Sequence, residues 1–508
     1  MKRLTTRALT GATLGLLAAL PFAAQATTGY FSLGYGAKAM GLAGAVVSNP
    51  QDSLAAAANP AGMAAVGKRR LDIGTRLFSP VREARLSAQH IGAQNPINSE
   101  STDKLFVIPN MGFTTQVGDS NFWTGFSSFG NGGMNSTYGK NVFDQMNAVS
   151  GAWLQGFGQA LAGGATPDQA RQAGAQAANQ VPKGATTGTP ETGQLGVDFF
   201  QIIIAPTLAY KFDEGAAEGL TLGLSPLVAM QQFKAFGLGN FQCFTATANA
   251  SPASQASCAT TGQPAPGFAS NNLTDRGSDV SWGAGVKVGA LYDLGKLWDF
   301  LDGFTIGGSY QSKIYMTKFG KYEELFAENG KFYIPATWSA GLTYKPIEAW
   351  SLTFEYSRIF FGGIRALSNK GPRQLQSPAG PLPAPSIPPG SGFLGASNGL
   401  GFGWTDVDVF RFASAYDINR KWTIRGGVAY SNNPINDSEI LFNVVAPAVI
   451  KWHFTAGVTF APTDYLDITA AYMHGLKSRN HSSNTAFGVP GEISMYQNSF
   501  DIGIGVKF

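Results

Sequence analysis

The last nine residues alternate strictly: Phe500, Ile502, Ile504, Val506 and Phe508 share one face of an extended chain, and Asp501, Gly503, Gly505 and Lys507 share the other. A period of two marks a β-strand with one apolar face. The pattern recurs upstream, where Leu352, Phe354 and Tyr356 oppose Thr353, Glu355 and Ser357, and Trp422, Ile424 and Val428 oppose Thr423, Arg425 and Gly427. A soluble sandwich and a membrane barrel both produce such alternation. Recurrence along the whole chain and the aromatic terminus Phe508 favour the barrel. Composition narrows the field further. Only 13% of residues are charged, against about a quarter in an ordinary globular chain. Basic residues number 36 and acidic ones 32, a net charge of +4. A coiled coil, an acidic disordered chain and a nucleic-acid binder are excluded on these grounds.

Residues 1–26 read as an export signal. Lys2, Arg3 and Arg7 precede an apolar run from Ala8 to Phe22, and Ala24-Gln25-Ala26 is a small-x-small cleavage site. The run is shorter than the roughly 20 residues of a spanning helix, and later apolar runs are broken every few residues. The two cysteines, Cys243 and Cys258, share one polar connection. In an oxidising compartment a disulfide is expected, with two free thiols as the alternative.

Short turn signals alternate with long connections, as in outer-membrane barrels. Tight turns are read at Gly118-Asp119-Ser120, Asp213-Glu214-Gly215, Pro346-Ile347-Glu348, Asn419-Arg420-Lys421 and Pro462-Thr463-Asp464. The long connections are 86–103, 139–196, 238–277, 366–403 and 478–493. About fourteen antiparallel strands follow, beginning near residues 69, 104, 121, 197, 220, 278, 303, 331, 350, 404, 421, 443, 465 and 493. The expected fold is an all-β transmembrane barrel over 69–508, plugged by a small helical segment over 27–68. That segment is rich in Ala and Gly and lacks alternation. Asn49-Pro50 and Asn59-Pro60-Ala61 each offer an N-cap followed by Pro at the first helical position, so a first short helix is expected from Pro50 to Ala58.

Several motifs in order carry a family resemblance: the run Gly34-Tyr35-Gly36-Ala37-Lys38-Ala39-Met40-Gly41-Leu42-Ala43-Gly44-Ala45, then Asn59-Pro60-Ala61-Gly62, then Pro109-Asn110-Met111-Gly112-Phe113 and Asn131-Gly132-Gly133. Later come Arg411, Trp422-Thr423-Ile424-Arg425-Gly426-Gly427 and Tyr472-Met473-His474-Gly475. Across the mature chain the sequence resembles the FadL family of outer-membrane transporters for long-chain fatty acids and related hydrocarbons, including TodX-like members. The resemblance implies a fourteen-stranded barrel closed by an N-terminal hatch carrying Asn59, Pro60 and Ala61. It also implies a third strand kinked inward at Asn131, Gly132 and Gly133, through which cargo leaves sideways. Paired glycines in a strand suit a bend, although they also suit the start of the following loop.

The connection 139–196 carries Trp153, Leu154 and Phe157 at mostly helical spacing, either as an extracellular capture surface or as a stripe packed on neighbouring loops. The stretch 371–392, dense in Pro, Gly and Ser, reads as a stiff surface loop. Lys234, Arg411, Arg425 and Lys451 are candidate lumenal cations, for a carboxylate or for ion pairs. Asp406 and Asp408 near the start of strand ten depart from the basic character expected around a fatty-acid head group, so a neutral hydrocarbon is the alternative cargo. Gly395-Ala396-Ser397-Asn398-Gly399 matches a nucleophile-elbow pattern but lacks the flanking strand and helix. The four histidines show no metal-ligand spacing. The expectation is therefore a monomeric, non-enzymatic transporter without metal or cofactor. Its partners would be a hydrophobic small molecule or fatty acid and the lipid and lipopolysaccharide of the outer membrane. A general diffusion porin and a surface receptor or adhesin are the competing functions.

Overall fold

A computed structural model describes residues 28–508 except 95–96, 186–192, 262, 375–384, 387–390 and 484–489. The export signal and most of the Pro-rich stretch 371–392 fall outside the described residues. Among the described residues, one antiparallel sheet includes two short strands, Ile97–Glu100 and Tyr315–Met316, and the fourteen strands of the wall. The wall strands are β1 (Arg69–Leu86), β2 (Phe106–Gln116), β3 (Phe122–Tyr138), β4 (Leu195–Lys211), β5 (Leu220–Phe236), β6 (Asp279–Asp293) and β7 (Phe304–Gln311). The second half comprises β8 (Thr337–Ile347), β9 (Trp350–Ile359), β10 (Val407–Asn419), β11 (Trp422–Ser431), β12 (Trp452–Thr463), β13 (Leu466–Ser482) and β14 (Gly491–Lys507). Each strand pairs with the next, and β14 returns to β1 from Arg70↔Lys507 to Leu86↔Gly491, which closes the barrel. Closure removes the two edge strands that an open sheet would turn to lipid. Among the described residues no helix is long and apolar enough to cross a membrane; the strands do the crossing.

The alternation sorts the side chains. Phe500, Ile502 and Ile504 are exposed on the outer face, whereas Asp501 is fully buried inside. Trp350, Phe354, Phe410, Phe412, Trp422, Ile424, Trp452 and Phe454 continue the outer apolar belt. Twelve strand starts lie within three residues of those read from the sequence. Two differ more. Strand β8 begins at Thr337 instead of 331, and β12 at Trp452 instead of 443. In both cases an apolar run that reads as strand folds into the bore as loop: Phe332 and Ile334 before β8, and Val444, Val445, Val449 and Ile450 before β12, are at most 2% exposed. The connections 312–336 and 432–451 are thus long loops that the turn signals did not reveal. Conversely β13 runs on to Ser482, so the connection read as 478–493 is shorter.

Residues 28–63 thread the bore, and all are buried except the partly exposed Tyr35, Pro50, Gln51 and Ala58. They hold two short helices, α1 (Ala37–Gly41) and α2 (Ala55–Ala58), and a 3-10 turn at Pro60–Ala65. Asn59 caps that turn by accepting from the Ala61 N–H, with Pro60 at its first position. The Asn49-Pro50 pair does not start a helix. The Asn49 side chain instead donates to Ser351 Oγ (3.3 Å) and Thr353 Oγ1 (3.0 Å) on β9, and this contact with the wall replaces the cap.

Candidate functional site: the bore and a window in its wall

Strand β3 pairs with β2 only up to Asn110↔Phe129. Above that point β2 continues to pair with β1 alone, from Pro109 to Phe106, and β3 holds only β4, with a register shift between Gly130 and Gly132. Residues 131–136 of β3 are all buried, so the inside–outside alternation is lost there. The strand has moved off the wall. Higher up the gap closes again, where Ser101 bridges Tyr138 and the Thr102 N–H donates to the Thr137 carbonyl at 2.8 Å. The result is a window framed by β2, β3 and the connection between β1 and β2.

The exposed edge of β3 does not face lipid unpaired, which would cost several kcal/mol per group. The N-terminal segment pairs with it. The Gly133 N–H donates to the Tyr30 carbonyl and the Ser32 N–H to the Asn131 carbonyl, both at 2.9 Å, and Phe31 bridges Gly132. Gly132 is a close-approach position: a Cβ there would collide with the Tyr30 carbonyl oxygen. The Asn131 side chain accepts from Tyr35 Oη (3.0 Å) and donates to Gln201 Oε1 (2.8 Å).

Below the window the segment is held at several points. Asn59 Nδ2 donates to the Val47 carbonyl (2.8 Å) and to the Ala290 carbonyl on β6 (2.9 Å). The wall is glycine where Asn59 and Ala61 touch it, because a Cβ on Gly289 or Gly223 would overlap them. The Val46 and Val47 N–H groups both donate to Glu355 Oε2 at 2.9 Å. Arg76, paired with Asp501 at 2.8 Å, donates to Ser32 Oγ (2.7 Å) and the Gly34 carbonyl (2.9 Å). Lys38 pairs with Asp467 (2.8 Å), which also holds Arg70 (2.7 Å), and Arg70 holds Asp72 (2.7 Å). Ser53 completes the chain with a 2.6 Å hydrogen bond to Asp72. Beside this network, burial and then the neighbouring Asp72 push the Asp52 carboxyl up to about 6.

Above the segment lies an aromatic throat. The Tyr30 ring is fully buried and packs on Phe31 (5.1 Å between centroids), Phe361 (5.3 Å), Phe199 (5.8 Å), Phe332 (6.0 Å) and Trp404 (6.0 Å). Phe199 comes from β4, and Phe332, Phe361 and Trp404 from inward-folded loops. The cavity beneath, bounded by Phe31, Leu33, Ile359, Gln311, Glu355 and Arg411, holds about 80 Å³. That is less than the ~150 Å³ that accommodates one benzene. Against the throat, Gln201 and Gln231 face each other across β4 and β5. The Tyr30 hydroxyl lies against Gln201, and Gln231 is fully buried with neither amide atom hydrogen-bonded. Each such group costs about 1–3 kcal/mol.

Residues 191–501, more than half of the chain, match the family described as outer membrane protein transport protein (OMPP1/FadL/TodX). The chain belongs to this family. Solved structures agree on the fold. The P. putida toluene transporter TodX aligns at 16% identity over 94% of this chain and 99% of its own, with a TM-score of 0.58. The Ralstonia pickettii toluene transporter TbuX gives 16% identity over 94% and 99%, with a TM-score of 0.55. A Pseudomonas aeruginosa FadL homologue gives 15% identity over 94% and 100%, with a TM-score of 0.57. No curated protein matches. The barrel and the family together place this transport protein in the outer membrane of a Gram-negative bacterium.

Within this FadL-type barrel the four candidate cations divide. Arg411 is buried, pairs with Glu355 (2.8 Å) and donates to Ser357 Oγ (2.6 Å). Arg425 holds Gln51 (3.2 Å) and Thr459 (2.6 Å). Both face the N-terminal segment. Lys234 does not face the bore: it lies on the opposite face of β5 from Gln231 and Phe233, over the Phe236 ring at 5.5 Å. Lys451, in the connection between β11 and β12, lines a cleft with Tyr430 on β11, Asn432 and Asn480 on β13. A cation that sequence reading passed over, Lys287 on β6, is buried and bonded to the Ala57 carbonyl. Asp406 and Asp408 are tied to Arg358, each at 3.2 Å, on the same outward-facing set as Phe354 and Phe410. They therefore do not line the bore.

The connection after β3 forms two helices, α3 (Val142–Ala162) and α4 (Pro167–Gln180). Trp153 is buried in their interface against Gly174 and stacks on Phe157 at 4.8 Å. Leu154 and Leu161 are the exposed apolar side chains there. Cys243 and Cys258 form a disulfide in the connection after β5. Ser397 sits in a loop, its carbonyl accepting from Arg365, and His453 and His474 bond to Gln497 and Asn498.

Proposed function

We propose that this protein takes up small hydrophobic compounds, aromatic hydrocarbons first among them, by passive gated diffusion. Residues 28–68 serve as a hatch, and the window between β2 and β3 serves as the exit. The observation that carries the reading is the pairing of Tyr30–Ser32 with Asn131–Gly133, which makes one stretch of chain both the stopper of the bore and the seal of the window. A ligand entering the aromatic throat competes with Tyr30, and displacement of Tyr30 breaks the hydrogen bonds that close the wall. Binding and opening are then one event.

The energetics fit. Burial gains about 0.8 kcal/mol per methylene, so a ligand of ten carbons gains ~8 kcal/mol, on the micromolar scale. That exceeds the ~2 kcal/mol held in the two edge hydrogen bonds. A neutral cargo is favoured because Arg411 and Lys287 already serve Glu355 and the Ala57 carbonyl. The structural neighbours TodX and TbuX, described as toluene transporters, support the same class. The filled bore is at odds with a general diffusion porin. Uptake of toluene and of oleate is compared between cells lacking and cells expressing the protein. Faster toluene uptake on expression is expected, and faster oleate uptake with toluene unchanged contradicts the neutral class.

A further inference from the structure

Three features of the throat belong together. The first is a box of rings (Phe199, Phe332, Phe361 and Trp404) with Tyr30 at its centre. The second is a row of amides across the adjoining wall. Asn131 on β3 bonds to Gln201 on β4, and Gln201 stands opposite Gln231 on β5. The same two strands place Phe199 opposite Phe233 one step along, so rings and amides line one surface. The third is that the row is unfinished. Gln231 is completely buried with its donor and its acceptor both free, and beside it the Tyr30 hydroxyl leans on Gln201, whose carbonyl oxygen already serves Asn131. Buried amides in an apolar throat are expected to be paired, and a purely hydrocarbon-binding throat has no use for them. The neighbouring positions on the same face, Ile203, Ala205, Leu227 and Ala229, are apolar and equally buried.

We infer that the amide row and the ring box are one recognition site for a single-ring ligand carrying a neutral hydrogen-bonding substituent, of which a phenol is the simplest form. Tyr30 holds that ligand's place: its phenol ring fills the box and its hydroxyl points at the row. The row supplies both functions a hydroxyl needs, a carbonyl oxygen to accept its proton and an N–H to donate to its oxygen. A ligand hydroxyl that approaches Gln201 and Gln231 more closely than Tyr30 does satisfies groups the closed structure leaves free, which favours exchange of Tyr30 for ligand. This assignment rests on the uptake reading above and narrows its substrate class.

The test uses two probes of nearly equal shape, p-cresol and p-xylene, titrated calorimetrically into the purified full-length protein in detergent with matched micelle blanks. The protein is expected to bind p-cresol at least about tenfold more tightly, since a site built for a hydroxyl discriminates against the analogue lacking it. Gln231→Leu and Gln201→Leu are expected to bring the two probes to within about threefold by weakening p-cresol alone. Tyr30→Ala is expected to tighten p-cresol binding. Heat-dependent gel migration reports assembly, and Gln231→Met replaces any leucine variant that does not assemble. Equal binding of the probes by the unmodified protein, or a preference that survives both glutamine substitutions, overturns the assignment. Binding of p-xylene without preference does so while leaving hydrocarbon uptake standing; binding of neither probe overturns both.

Discussion

The Gly133 N–H donates to the Tyr30 carbonyl at 2.9 Å. This bond joins a strand of the barrel wall to the chain that fills the barrel's bore. Because β2 has left β3 at that height, Tyr30 takes the position of a missing neighbour strand. The chain that fills the bore also pairs with the wall at that height.

Gly132 is where that arrangement is least tolerant of a side chain. In Gly132→Val the new Cβ meets the Tyr30 carbonyl oxygen, while pairing of β3 with β4 is unaffected. The barrel is expected to assemble, with residues 28–34 becoming accessible to protease. Valine in the window is expected to lower uptake at least tenfold, about 1.4 kcal/mol. Uptake assays and limited proteolysis of the same membranes check both halves.

The Asn59 side chain makes three hydrogen bonds, to Ala61, Val47 and Ala290. Asn59→Ala removes the cap of the 3-10 turn and frees two buried carbonyls. A loss of about 1–3 kcal/mol in docking of the segment is expected, read as faster hydrogen exchange over residues 46–63 with the strand amides unchanged.

The Arg411–Glu355 pair is buried and also anchors Val46 and Val47. Glu355→Leu leaves Arg411 uncompensated and is expected to cost about 3–5 kcal/mol. The double change Glu355→Leu with Arg411→Met is expected to recover most of that loss. Denaturation midpoints of the three proteins show whether the two changes are coupled.

Asp52 gives the docked segment a pH dependence. Burial and Asp72 raise its carboxyl to about 6 when docked, against about 3.9 when released into water. The docked state therefore favours the protonated acid, and docking is expected to strengthen as pH falls from above 6 toward 4, then level off. Lys38 and Arg70 both pair with Asp467 beside Asp52. Hydrogen exchange of residues 46–58 at pH 5 and pH 7.5 measures the effect, and Asp52→Asn is expected to abolish the difference.

Lipid contact made the strands readable in the sequence. A wall one layer thick, apolar outside and polar inside, forces a period of two, so most strand starts follow from Phe354, Ile424 or Ile502 and their neighbours. The same signal misled at Phe332–Ile334 and Val444–Ile450, because an apolar loop folded into a bore resembles a strand when only hydropathy is seen. Asn59 carried its own cap signal. Asn49 carried the same signal yet met Ser351 and Thr353, partners some 300 residues away. The orientation of Lys234, Asp406 and Asp408 depends on strand parity, which a one-residue boundary error inverts. The Gln201–Gln231 juxtaposition depends on register alone, and nothing local to either residue announces it.

The central claim is that the N-terminal chain must leave the β3 edge before cargo can pass. Phe31 and Gly132 are bridge partners, which sets Ser32 opposite Asn131, the Ser32 N–H donating to the Asn131 carbonyl at 2.9 Å, and facing β residues lie at disulfide-compatible spacing. Ser32→Cys with Asn131→Cys, which keeps glycine at 132, therefore yields a seal that can be locked by oxidation and released by reduction. Toluene uptake is measured in both states, with the unmodified protein under the same reductant as control. The account predicts uptake at the level of cells lacking the protein when the lock is closed and recovery when it is opened. Equal uptake in the locked and released states would contradict it.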